Sequence, residues 1–258
     1  MQSPILRQFL NIVALIAVLV VNGLAAAGVV NNKTTGELSD KYPVLTTPAG
    51  YAFSIWSIIY LGLIAFVIYQ ALPSQRHNPR IRGLDGLFVL NCLTNIGWIL
   101  VWHYELLWLS IVLMLVILAT LIMIYARLAR SRSQASTAQV WVVDVPFSLY
   151  LGWISVATIV NATVVLYAAG WSGAPLAPAQ WAALLLLIGA LLAAFFGLRQ
   201  RDPVYSAVIA WAFAAIVVKQ SAMLVVGAAG VLAAVAVIVM LVALVQRLRY
   251  GPALARAA

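Results

Sequence analysis

Eight long apolar stretches dominate this sequence and restrict what it can fold into. Each has about 20 residues, the length that an α-helix needs to cross the hydrocarbon core of a bilayer. They lie at 8–29, 50–71, 84–103, 106–126, 142–168, 179–198, 204–222 and 223–246. Only 8% of the residues are charged and 65% are hydrophobic, whereas a soluble domain has roughly 25% charged residues. The sequence therefore predicts an all-α integral membrane protein with eight spans.

The charged residues fall in the breaks between these stretches and predict their orientation. If successive loops alternate between the two sides of the membrane, all 12 arginines lie on one side and all 3 lysines on the other. Short loops rich in positive charge favour the cytoplasm, so both termini are expected there. The asymmetry explains the net charge of +9 without nucleic acid as a partner. We expect membrane lipids around the chain and a bacterial plasma membrane as its location.

The break between the last two stretches is ambiguous. Residues 204–245 contain no proline, so the turn can lie at the polar residues 219–221 or at the glycines and alanines of 227–230. Small residues at 227–230 would also let another helix approach closely. That neighbour can belong to the same chain or to a second subunit, which leaves a homodimer open.

Aromatic and amide residues follow one face of three predicted spans, where spacings of three and four place side chains on the same side of a helix. They are Phe53, Trp56 and Tyr60 in the second span, Asn91, Asn95, Trp98 and Trp102 in the third, and Tyr150, Trp153, Ala157 and Asn161 in the fifth. With the predicted orientation, several of them share a depth of about 8–12 Å below the outer surface. A cavity for a flat hydrophobic ligand is one interpretation. Packing of helices through the same side chains is the other, and periodicity does not separate the two.

The other tryptophans and the charges near span ends have structural interpretations. Trp211 is expected to serve packing, whereas Asp85 and Asp144 are expected to interact with helix dipoles. Lys219 is expected to extend from an outer helix end towards water. Five tryptophans near span ends are typical of an interfacial aromatic belt: Trp102, Trp108, Trp141, Trp171 and Trp181.

Several motifs in this order resemble those of the translocator proteins, also called tryptophan-rich sensory proteins (TspO/MBR). The second helix of that family begins with Pro-Pro-Gly-Trp-x-Phe-x-x-x-Trp-Thr-x-Leu-Tyr. The corresponding residues here are Pro48-Ala49-Gly50-Tyr51-Ala52-Phe53-Ser54-Ile55-Trp56-Ser57-Ile58-Ile59-Tyr60. The family's Asn-x-x-Trp of the third helix is matched by Asn95 and Trp98, and its fifth-helix pattern by Trp153, Ala157-Thr158 and Asn161.

The resemblance has limits along the chain. It covers about residues 8–168, so a TspO-like five-helix bundle is expected over 1–170 and a three-helix membrane extension over 171–258. Pro146 stands seven residues before Trp153 instead of four. Either Tyr150 takes the place of the family's tryptophan or a helical turn is inserted.

The resemblance implies a pocket for porphyrins such as haem precursors, and in animal members for cholesterol. Trp56, Asn95, Trp98 and Ala157 match positions that line that pocket. Together with the aromatic and amide stripes, this gives the expected ligand-binding residues Phe53, Trp56, Tyr60, Asn95, Trp98, Trp153, Ala157 and Asn161. The loop residues Pro48, Gly50 and Tyr51 are expected to form a lid over this pocket.

We therefore expect membrane-embedded binding, transport or sensing of a planar hydrophobic molecule, either a porphyrin or haem precursor or a sterol-like lipid. Porphyrin or haem is expected as a ligand, not as a required cofactor. Two alternatives stay open, a secondary transporter of a small solute and a porphyrin-modifying membrane enzyme. A binding protein is favoured because no nucleophile, base and orienting group occur together. His77 and His103 fall on opposite sides of the predicted membrane, so neither a catalytic nor a metal site is expected.

Overall fold

Long helices make up most of the structure, which is a computed structural model describing residues 3–84, 86–171 and 173–250. No strand occurs among these residues. We number the eight long helices of the described chain in order. They are α1 (Pro4–Ala26), α2 (Ile55–Ala71), α3 (Leu87–His103), α4 (Leu107–Arg130), α5 (Val145–Ala168), α6 (Pro178–Ala194), α7 (Pro203–Lys219) and α8 (Met223–Tyr250).

Each predicted apolar stretch overlaps one of these helices over most of its length. Six helical segments in the part of the chain that is described are long and apolar enough to cross a membrane. The other two, α3 and α7, are apolar but have 17 residues each. The all-helical membrane class is confirmed, whereas the count of eight spans and the cytoplasmic termini stay predictions. Arg256, one of the twelve arginines, lies outside the described residues.

Helix α7 shows how the local sequence determines where helices begin and end. Asp202 precedes it, and its side chain accepts hydrogen bonds from the backbone N–H groups of Val204 and Tyr205 at 3.1 and 3.3 Å. Pro203 occupies the first helical position, where a missing N–H costs nothing. The ambiguous turn follows at 220–222, and residues 227–230 lie inside α8. Glycine is tolerated there because a helix in lipid satisfies its own backbone groups.

The chain divides into two compact units. The first unit comprises Met1–Leu38 and Ile55–Leu151, and the second comprises Ser39–Ser54 and Gly152–Ala258. Helices α1–α4 and the start of α5 belong to the first unit, and the rest of α5 with α6–α8 belongs to the second. These boundaries differ from the predicted division of the chain at residue 170, which stays a prediction.

Buried amides connect the helices of the first unit. Gln8 on α1 donates to the carbonyl oxygen of Gln70 on α2 at 2.7 Å, and Gln70 donates back to the Gln8 carbonyl at 3.3 Å. Asn91 on α3 donates to the Thr120 hydroxyl on α4 at 2.8 Å. Such side-chain hydrogen bonds hold membrane helices together where the surrounding lipid is as apolar as the helices.

An ion pair is also buried in the first unit. Arg80, in the short helix Pro79–Arg82, donates to Asp144 at 2.8 Å, and the two side chains are only 4% and 5% exposed. Asp144 ends a π-helical segment, Val140–Asp144, which directly precedes α5. Asp144 was expected to interact with a helix dipole, and no sequence pattern indicated its pairing with Arg80. Asp85, interpreted in the same way, lies outside the described residues.

Small residues bring the helices of the second unit together. A Cβ atom at Gly152 would lie 3.0 Å from the Val208 Cβ atom, and one at Gly189 would lie 2.9 Å from the Phe213 ring. At Gly197 the added atom would lie 2.3 Å from a methyl group of Val239. Glycine allows this close approach of helix backbones, as small residues do in membrane proteins generally.

Candidate functional site

An aromatic cluster in the first unit contains several of the predicted ligand-binding residues. Trp56 and Tyr60 lie one turn apart on α2, and their rings stack at a centroid distance of 5.3 Å and an angle of 21°. Tyr150 on α5 contacts Trp56 edge-on at 5.6 Å. The spacing of four residues predicted the first contact, because it places both rings on one helix face.

A chain of amides lies beside these rings. Asn95 on α3 donates to the hydroxyl of Tyr150 at 2.9 Å, and Asn22 on α1 donates to the side-chain oxygen of Asn95 at 2.8 Å. Asn95 and Tyr150 are buried. Asn22 was missed as a site residue, although an asparagine inside an apolar span is itself a signal of helix contact. Tyr150 lies on the predicted stripe of α5 but was not among the predicted ligand-binding residues.

Trp98 stacks on Trp102, one turn further along α3, at 5.8 Å and 17°. Trp102 is only 4% exposed, so its interpretation as a belt residue was wrong. Trp108 is 66% exposed, as a belt residue would be. Within the described chain, the ring nitrogens of Trp98 and Trp102 and the hydroxyl of Tyr60 are buried without a hydrogen-bond partner.

The remaining predicted site residues belong to the second unit. Phe53 contacts the edge of Trp153 at 5.8 Å, and Trp153 is buried. Asn161 is also buried, whereas Ala157 is half-buried. Trp56, Tyr60, Asn95 and Trp98 belong to the first unit. The eight residues as one ligand site therefore stay a prediction.

A family model described as TSPO-like protein matches residues 8–243. The chain belongs to the TSPO-like family. The match continues into α8 and so extends beyond residue 168, where the motif resemblance was expected to end. No curated protein and no solved structure matches the chain. Family membership and the apolar helices indicate an integral membrane protein with a role in ligand binding, transport or sensing.

In this TSPO-like protein, the loop that carries the predicted lid residues is attached to α7. The backbone N–H of Ala49 donates to the Ala215 carbonyl at 3.0 Å. Trp211 donates from its ring nitrogen to the Ala52 carbonyl at 3.2 Å, and Gln220 donates to the Thr47 carbonyl at 2.8 Å. Trp211 thus does more than pack, because it holds the loop backbone.

The lid residues of the TSPO-like chain differ in exposure. Pro48 is buried, whereas Gly50 and Tyr51 are exposed, and Tyr51 contacts the edge of Trp211 at 5.3 Å. Lys219, at the end of α7, is paired with the Asp40 carboxylate instead of only extending into solvent. The last residues of α7 therefore hold this loop region by charge as well as by hydrogen bonds.

The described ranges of the TSPO-like chain bring no three His, Cys, Asp or Glu side chains together as metal ligands. His103 is buried, and its Nδ1 atom lies 2.7 Å from the Ile99 carbonyl oxygen, one turn earlier on α3. The chemistry that the aromatic cluster offers is stacking on ring faces and hydrogen bonding from amides, hydroxyls and indole N–H groups.

Proposed function

We propose that this TSPO-like protein binds a planar hydrophobic molecule of the porphyrin or haem-precursor class inside the membrane, at the aromatic cluster. The stacked pair of Trp56 and Tyr60 beside the hydrogen-bonded Asn95 and Tyr150 supports the proposal. Flat ring faces suit a flat apolar molecule. Amides next to them suit the polar edges of that molecule and would fix its orientation.

Buried donors without protein partners also support a ligand at this cluster. The Tyr60 hydroxyl and the Trp98 ring nitrogen have no hydrogen-bond partner in the part of the chain that the structure covers. Leaving such a group unsatisfied costs about 1–3 kcal/mol. A bound molecule with acceptor atoms on its edge would remove that cost, which adds to its affinity.

The test is a titration of the purified protein with protoporphyrin, in which the shift of the porphyrin's own absorbance band measures binding. The variant Trp56→Leu combined with Trp98→Phe removes one ring face and one donor. We expect a loss of affinity of about fivefold to 150-fold, since a ring contact contributes about 0.5–1.5 kcal/mol beyond area burial and a hydrogen bond contributes about 0.5–1.5 kcal/mol more. Trp108→Phe, at an exposed position on α4, is the matched control and should bind as the unchanged protein does.

Unchanged protoporphyrin affinity in the folded double variant would refute the cluster as the site. The same preparation separates binding from the alternatives. Movement of porphyrin or of a coupled ion across proteoliposomes would indicate a transporter. Conversion of bound porphyrin to a new absorbing product would indicate an enzyme.

A further inference from the structure

A large cavity lies entirely within the second unit. Its volume is about 820 Å³, and its walls are formed by loop residues 43–46, by the last turns of α5 from Thr158 onward, and by the first turns of α6 as far as Leu185. This volume lies in the range of about 300–1,000 Å³ that is usual for small-molecule sites. The cavity is therefore large enough for a ligand of its own.

The cavity uses a different face of α5 from the predicted porphyrin site. Thr158 and Ala162 line it, whereas Ala157 and Asn161 carry the aromatic and amide stripe. A step of one residue turns the side chain by about 100° around a helix with 3.6 residues per turn. The two faces are adjacent on the helix but distinct.

Hydrocarbon and indole rings dominate the walls. Trp171 and Trp181 contact each other, with ring centroids 5.2 Å apart. Among the lining residues that the structure describes, none carries a charged side chain. Since an uncompensated ion in such surroundings is strongly disfavoured, the walls suit an uncharged molecule.

Two buried polar atoms in the walls have no protein partner. They are the hydroxyl of Thr46 and the ring nitrogen of Trp181, neither of which has a hydrogen-bond partner among the described residues. Thr46 is only 2% exposed. The hydroxyls of Thr158 and Thr163 differ, because they donate to the carbonyls of Ile154 and Ile159 at 2.7 and 2.8 Å. An indole N–H only donates, so a ligand must bring an acceptor to Trp181.

We propose that this cavity binds an uncharged amphiphile, with a carbonyl or ether oxygen at Thr46 and Trp181 and a hydrocarbon part between α5 and α6. Trp181 lies near the start of α6, and Thr158 lies ten residues before the end of α5. The ten residues from Thr158 to the end of α5 span about 15 Å at the α-helical rise. The walls thus carry two polar atoms without partners in the described chain, on Thr46 and Trp181, beside a long apolar body. Its occupant and the ligand proposed for the aromatic cluster belong to different chemical classes.

Photolabelling of the full-length protein in lipid nanodiscs tests this proposal. Three diazirine probes share one chain length and differ in the head group, which is a methyl ester, a free carboxylate or plain hydrocarbon. We expect the ester to label residues 158–171 and 178–185 saturably, with at least tenfold less labelling in excess unlabelled ester. The carboxylate and the hydrocarbon should label these residues several-fold less than the ester does.

The variants Thr46→Val and Trp181→Phe remove the two donors with little change in shape. Together they should reduce ester labelling at least fivefold, to the level of the hydrocarbon probe. Thr163→Val is the matched control, since its hydroxyl already bonds to the backbone, and should leave labelling unchanged. Ala162→Trp fills the cavity and should abolish saturable labelling while the unfolding temperature stays close to that of the unchanged protein.

Equal, unsaturable labelling by all three probes would overturn the proposal and show that bulk lipid fills the space. Full ester labelling in the folded Thr46→Val and Trp181→Phe double variant would overturn it as well. Stronger labelling by the carboxylate would show that the class of ligand is wrong.

Discussion

The two units combine polar contacts and close packing in different proportions. In the first unit, buried amides and a buried ion pair connect the helices, and one helix glycine, Gly62, lies close to Pro146. In the second unit three glycines of the long helical segments let neighbouring helices approach closely, and the buried polar contacts between helices include hydrogen bonds from the hydroxyls of Tyr205 and Ser206. Hydrogen bonds require specific partners at specific distances, whereas close packing of helix backbones requires only that the glycine positions carry no larger side chain. The first unit should therefore be more sensitive than the second to the loss of a polar group, and the second more sensitive to the gain of a methyl group.

The largest expected effect comes from breaking the buried ion pair. Arg80→Met removes the arginine that pairs with Asp144 in buried surroundings, and breaking a buried ion pair costs about 3–5 kcal/mol. We expect a clear fall in the unfolding temperature of the purified protein. Replacing both partners, as Arg80→Met with Asp144→Leu, should recover much of the loss because both charges of the pair are then removed. Arg82→Met changes an exposed arginine nearby and should have little effect.

An added methyl group should destabilise the second unit somewhat less. In Gly197→Ala the new Cβ would lie 2.3 Å from the Val239 methyl group and 2.7 Å from the Ser206 hydroxyl. Overpacking of this kind costs about 1–3 kcal/mol. Gly227→Ala has no described atom within 4 Å of the new carbon and is the control. Thermal unfolding that ranks the two variants equally would contradict the packing comparison.

Removing one amide should have a smaller effect in the first unit. Asn91→Ala removes the hydrogen bond from α3 to the Thr120 hydroxyl on α4, and bonds of this type in membrane proteins contribute about 0.6–2 kcal/mol. Thr94→Val is the matched control, because the Thr94 hydroxyl bonds to Leu90 within α3. A loss of stability in the control equal to that in Asn91→Ala would argue against interhelical hydrogen bonding as the cause.

The smallest expected effect is at the partly exposed pair of Lys219 and Asp40. Exposed ion pairs contribute about 0.2–1 kcal/mol and are screened by salt. Lys219→Gln should therefore lower the unfolding temperature slightly at low ionic strength and not at all in 1 M salt, where the Debye length is about 3 Å. A difference that persists in high salt would indicate a role other than charge.

Helix positions followed from the sequence because a bilayer imposes both length and apolar composition on a span. The turn at 220–222 was ambiguous because glycine ends a helix readily in water but not in lipid. Trp102 was assigned to the wrong environment for a related reason. Its place near a span end suggested the interface, whereas its burial depends on packing between helices that no local pattern records.

Contacts within the candidate site were predicted only where both side chains lie on the same face of one helix. The stacking of Trp56 on Tyr60 follows from a spacing of four on α2. The hydrogen bonds that join Asn22, Asn95 and Tyr150 come from three helices, so their pairing depends on tertiary structure. The cavity at Thr46 and Trp181 was not predicted, because its walls combine a loop with the ends of two helices.

The attachment of the loop to α7 through backbone atoms has an evolutionary consequence. The carbonyls of Thr47 and Ala52 and the N–H of Ala49 exist whatever side chains those positions carry. Substitutions at these positions can therefore keep the hydrogen bonds to α7, although burial of Thr47 and Ala52 still limits the size of their side chains. Related chains are expected to vary most at the exposed loop residues Gly50 and Tyr51, and least at Trp211 and Gln220, whose side chains hold the loop.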